Sequence, residues 1–187
     1  MPAVMRKTLA VVALSSLLGA CAGQQSAPQQ AQAPQLNNDD LYEVHTESRV
    51  YVFDDYHLYQ EYLTTGHTPY VMTRIGEGPE GKTLVFGLAD ADKKKRSGIA
   101  SVDMYAGKLV GAENFYGEMR AEGRIYVFSR LEDMQEVRTT GEAPYRYTAI
   151  GAGPQGETLV YVLHGANKKQ RPDDLIKAFK ARHQQAH

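Results

Sequence analysis

Apolar and polar positions alternate over residues 42–53, and the alternation breaks at Glu47-Ser48. A period of two with a polar corner predicts a β-hairpin. From Asp54 the period lengthens. Tyr56, Tyr59 and Tyr62 recur every third residue with Leu63 beside them, which makes one apolar stripe of a helix. Asp54 is the residue expected to cap its start, and Gly66 stands where a glycine closes a helix. Residues 69–75 and 82–88 then read as two strands about the loop Gly76-Glu77-Gly78-Pro79-Glu80-Gly81. In the returning strand Leu84, Phe86 and Leu88 alternate with smaller residues, so one face is buried.

The same pattern returns 75 residues later. Arg49-Val50-Tyr51-Val52-Phe53 recurs as Arg124-Ile125-Tyr126-Val127-Phe128, Thr64-Thr65-Gly66 as Thr139-Thr140-Gly141, and Thr83-Leu84-Val85 as Thr158-Leu159-Val160. Across 47–95 against 122–170 about half the positions are identical without a gap, which marks an internal duplication. In the second copy Glu122-Gly123 forms the hairpin corner, and glycine accepts the positive φ such corners need. Ser129 and Glu132 form a capping box, and Leu131, Met134 and Val137 carry the helix stripe. The expected fold is α+β: two tandem hairpin–helix–hairpin (ββαββ) repeats, 41–115 and 116–187, packed as a pseudo-two-fold pair of antiparallel sheets with helices on one face. The copies are expected to end differently. Residues 97–115 suggest further strand or a short helix, whereas 172–183 predict a helix docked through Leu175, Ile176 and Phe179.

Composition changes the picture little. The chain has 187 residues, 21 basic and 22 acidic side chains, so net charge offers no attraction to nucleic acid. A single cysteine excludes an internal disulfide and any multi-cysteine metal site. Its position matters more. Arg6 and Lys7 precede an apolar run, 8–18, too short to span a bilayer, and small residues follow it. That is a signal-peptide pattern over 1–20. The ending, Leu18-Gly19-Ala20-Cys21, resembles the lipobox of the bacterial lipoprotein class. The resemblance implies cleavage before Cys21, diacylglycerol on its sulfur, acylation (palmitate) of its new amine, and, with Ala22 next, sorting to the outer membrane facing the periplasm. Residues 24–38 are rich in Gln, Ala and Pro and read as a disordered tether within 21–40.

Candidate chemistry is sparse. The Gly-rich loops have dinucleotide-like glycine spacing, but they join strand to strand and place Pro79 or Pro154 where a phosphate cradle needs an amide. They read as hairpin loops. The six histidines form no metal-binding spacing, and no nucleophile motif is present. The opening hairpin and helix resemble the small metal-binding modules of the YHS type over about a fifth of the chain, but without their cysteines no metal is implied. The expected role is therefore a lipid-anchored, non-catalytic binding or scaffolding protein of the envelope, with no cofactor. Its partners would be the membrane, an envelope protein or an anionic envelope component. Lys93, Lys94, Lys95, Arg96, Lys168, Lys169 and Arg171 could form a basic patch for such a partner, and Tyr51, Tyr70, Tyr126 and Tyr145 could line a cleft between repeats. Two rivals remain: an enzyme with an acid/base site at Asp54, Asp55 and His57, and an inhibitor or immunity-type protein acting through loops 76–81 or 151–156.

Overall fold

The computed structural model describes residues 36–184. The leader, Cys21 and most of the tether lie outside the described residues. The chain forms β1 (Asp40–His45), β2 (Arg49–Phe53), α1 (Tyr56–Thr65), β3 (Val71–Arg74), β4 (Thr83–Gly87), α2 (Ala100–Tyr105), β5 (Tyr116–Ala121), β6 (Arg124–Phe128), α3 (Leu131–Thr140), β7 (Tyr145–Ala149), β8 (Thr158–Leu163) and α4 (Asp173–Gln184).

All eight strands belong to one mixed sheet, in the order β3-β4-β2-β1-β5-β6-β8-β7. The hairpins are antiparallel, but β2 pairs with β4, β6 with β8, and β1 with β5 in parallel. The expected pair of antiparallel sheets is therefore a single sheet, because β1 and β5 bond edge to edge. Backbone donors and acceptors left open along one hairpin's edge are satisfied by the other's.

The helices do not share a face. Leu41, Val50, Val52, Phe86 and Phe128 join Val102 and Met104 of α2 and Leu131, Met134 and Val137 of α3 in one core. Tyr42, Phe53, Ile125, Val127 and Tyr161 join Leu58 and Tyr59 of α1 and Leu175 and Phe179 of α4 in a second. Adjacent residues of one strand, such as Val52 and Phe53, point to opposite sides of a sheet, so the cores lie on its two faces. One face carries α1 and α4, the other α2 and α3. Both faces need cover, which is why β2, β4, β6 and β8 are apolar at most positions.

Local chemistry explains most element boundaries. Gly66 and Gly141 adopt left-handed conformation at φ 79° and 76°, and each donates its N–H back into the helix it ends. At the β5–β6 corner both Glu122 and Gly123 have positive φ, 52° and 72°, as a tight hairpin turn requires. The helix starts differ from expectation by one residue. Asp55, not Asp54, caps α1 by accepting from Leu58 N at 2.9 Å, and Arg130, not Ser129, precedes α3 without a side-chain bond. Residues 109–115 form no strand.

Candidate functional site

The acid/base candidates do not converge. Asp55 is engaged by its helix, and His57 is exposed with no hydrogen bond among the described residues. Asp54 is buried, and its Oδ2 accepts from Ser101 N at 2.8 Å, so it caps α2 across the fold. Burial pushes Asp54 up from 3.8 to about 6, against the bond from Ser101. Between those values the folded protein holds a proton that the unfolded chain releases, so this group makes stability fall as pH rises through the window. Asp54→Asn keeps an acceptor for Ser101 and removes the titration. It is expected to flatten the stability change between pH 4 and pH 7 by on the order of 2 kcal/mol. Urea midpoints at the two pH values check this, and an unchanged difference refutes it.

The basic tracts follow β4 and β8, which run in the same direction, so both lie at one end of the sheet. Five strand steps separate them, about 24 Å. They do not merge into one patch, and much of their charge is met locally. Lys93 pairs with Asp90 at 2.6 Å and lies 5.1 Å from the Tyr70 ring centroid, and Lys95 pairs with Asp92 at 2.5 Å. Lys168 lies 4.7 Å from the Tyr145 ring, and Arg171 pairs with Asp173 at 3.1 Å. Lys94, Arg96 and Lys169 have no ion-pair partner among the described residues.

At the junction of the repeats β1 and β5 pair directly, and among the described residues the four tyrosines do not line one cleft. Tyr51 and Tyr126 instead face opposite sides of the sheet, and each floors a separate groove. The first groove, about 500 Å³, is lined by Arg49, Tyr51, Gly66, His67, Thr68, Val71, Thr73, Ile75, Thr83 and Val85. The second, about 510 Å³, is lined by Arg124, Tyr126, Gly141, Glu142, Ala143, Arg146, Thr148, Ile150, Thr158 and Val160. Each of the ten residues of one groove lies 75 positions from a residue of the other, and seven of these pairs are identical.

The geometry of each follows from strand register. Arg49 is opposite Thr83, Tyr51 opposite Val85, and Val85 opposite Thr73. Arg124, Thr158, Tyr126, Val160 and Thr148 repeat the arrangement. Arg49 Nη1 donates to the Tyr51 hydroxyl at 3.1 Å, and Arg124 Nη1 to the Tyr126 hydroxyl at 3.2 Å. The wall is the end of α1 or α3, where glycine turns the chain away. The chain matches no protein-family model, no curated protein and no solved structure.

The Gly-rich loops close on themselves. Gly78 N donates to Lys82 O at 2.8 Å and Gly81 N to Gly78 O at 3.1 Å, and Gly153 and Gly156 bond likewise. Those amides are spent, as the hairpin reading requires. Among the described residues no three His, Cys, Asp or Glu side chains converge on a metal position, and no helix is long and apolar enough to cross a membrane.

Two buried carboxylates were missed by reading the pattern alone. Glu43 and Glu118 are fully buried on the central strands, again 75 positions apart. Glu43 binds Arg138 of α3 and His45. Glu118 accepts from the Tyr116 hydroxyl at 2.6 Å and the Tyr59 hydroxyl at 2.9 Å, and meets His183 Nε2 at 2.9 Å. Arg120 reaches Tyr59 at 2.8 Å and Glu157 at 2.5 Å. Burial, reinforced by Glu118, raises the Tyr59 hydroxyl well above its usual range and keeps it a donor. These networks tie helices to the sheet and open into neither groove. The matched acids at 43 and 118 were the available signal.

Proposed function

We propose that the protein is a lipid-anchored binding module of the cell envelope that receives ligands in two equivalent grooves and carries out no covalent chemistry. The matched grooves carry this reading. Ile75 and Ile150 are 85 % and 88 % exposed, yet both copies keep isoleucine there. Burial does not account for them, and each lines its groove, where a bound ligand would cover it.

We further infer that the halves are duplicated copies related by a two-fold axis along the strands. Such an axis turns the sheet over, so residues i and i+75 point to opposite faces. Direct partners in a parallel pair point to one face, and the partners across β1 and β5, from Asp40 and Tyr116 to Val44 and Arg120, are 76 apart. The one-residue shift supports the axis. So does α2, which stands 75 positions before the middle of α4. The rotation places one groove on each face.

The lipobox-like Leu18-Gly19-Ala20-Cys21 supports an outer-membrane anchor, with the tether holding the domain in the periplasm. Cys21→Ala is expected to move the protein from the membrane fraction to the soluble periplasmic fraction; retention on membranes removes the anchor. For binding, a photo-reactive benzoylphenylalanine is placed at Thr73 or Thr148 in the cells that make the protein. Both positions are expected to trap an adduct of the same added mass. No adduct at either position, or unrelated adducts at the two, overturns the binding reading.

A further inference from the structure

We infer that each groove takes a carboxylate carried on an apolar chain, a small amphiphilic acid, with one site on each face of the sheet. The inference rests on the binding reading above and names its ligand chemistry.

The donor set is the first reason. Arg49 and Arg124 form no ion pair among the described residues, whereas Arg74, Arg120, Arg130 and Arg138 each meet a carboxylate. Each is aimed by its bond to a tyrosine hydroxyl through one nitrogen. A guanidinium has five N–H donors in a planar fork, and the remaining donors of these groove-lining arginines make no hydrogen bond among the described residues. The hydroxyls of Thr83 and Thr73, and of Thr158 and Thr148, make no hydrogen bond among the described residues. A fork beside free hydroxyls matches a carboxylate.

Charge and shape give the second reason. No acidic side chain lines the first groove; the second has Glu142 against Arg124 and Arg146. Each groove therefore carries one net positive charge. Beyond the arginine the floor turns apolar: the Tyr51 ring, Val85 and the exposed flank of Ile75 in one, and Tyr126, Val160 and Ile150 in the other. An anion alone would leave that surface wet, and a neutral hydrocarbon would leave the arginine unpaired. A volume of about 500 Å³ suits a small ligand. The carboxylate would lie across Arg49 and Thr83, or Arg124 and Thr158, with its chain over the tyrosine and against the isoleucine.

The test uses the whole chain carrying Cys21→Ser, so that no acyl group competes for the grooves, and sodium decanoate as the probe. The chain has five isoleucines, at 75, 99, 125, 150 and 176, so a methyl-labelled spectrum reads both grooves and three internal controls. Ile75 and Ile150 are expected to shift with saturation while Ile99, Ile125 and Ile176 stay in place. Arg49→Gln is expected to abolish the Ile75 response alone, and Arg124→Gln the Ile150 response alone; unmoved control methyls show that each variant is folded. 1-Decanol is expected to bind at least tenfold more weakly, and acetate to leave both methyls unmoved. Decanoate shifts that survive both arginine substitutions, or equal binding of decanol, overturn the proposal. Silent methyls together with adducts at Thr73 and Thr148 overturn the ligand class and leave the binding reading standing; silence in both experiments removes both.

Discussion

Arg138→Met is expected to destabilise the protein by about 3–5 kcal/mol, because it leaves a buried carboxylate without its main partner. Glu43 is fully buried on β1. Arg138 Nε lies 3.0 Å and 3.2 Å from its two oxygens, and Nη2 also donates to Oε1. The guanidinium sits 3.9 Å from the Tyr105 ring centroid and donates to Tyr105 O at 3.2 Å. Only His45, at 2.8 Å, would remain against the carboxylate. Burial opposes ionisation of Glu43, but Arg138 and His45 prevail and hold it below its ordinary value of 4.5. A lowered folded value stabilises above the unfolded one, and that contribution is lost as pH falls through the folded value. The variant should lose this acid-side loss, since its Glu43 is already costly when charged. Urea unfolding at pH 7 measures the effect, and a cost below about 1 kcal/mol rejects the account. Glu43→Met added to Arg138→Met is expected to recover most of the stability, since two apolar side chains leave no charge to bury.

Phe53→Ala and Phe128→Ala are each expected to cost about 3–5 kcal/mol. Both rings are fully buried, and they occupy matching places 75 residues apart. Phe53 lies against Tyr59 and Tyr62 on the face of α1 and α4, with ring centroids 6.1 Å and 5.4 Å away. Phe128 belongs to the core under α2 and α3. Three strand steps and the thickness of the sheet separate them, so milder Phe→Leu changes should add within about 0.5 kcal/mol. A shared core under helices on one face would couple them. Strong non-additivity in the double Phe→Leu variant would therefore argue against cores on opposite faces. Each variant should still unfold in one transition, since a continuous sheet joins the halves.

Much of this molecule was legible in its hydrophobic pattern. The strands at 49–53, 83–87, 124–128 and 158–163, the three-residue stripes of α1 and α3, the closing glycines and the docking face of α4 all follow from local spacing. The grooves were half legible. Tyr51 and Tyr126 stood out as matched aromatics, but the arginines two residues before them were legible only as part of the repeated strand. Their place beside an open groove floor appears only when α1 and α3 end short of the outer strands. The buried acids went unread because a glutamate in a strand ordinarily faces water.

By itself the sequence determined the elements outside 97–115, their duplication at 75 residues and the polar stretch ahead of them, because side-chain spacing and turn chemistry act over a few residues. It did not determine which strands meet. The parallel pairing of β1 with β5 is made by backbone groups common to every residue, and only the assembled sheet selects it. That pairing turned an expected two-sheet layer into one sheet, sent the helices to both faces, and replaced a cleft between repeats with a groove on each side.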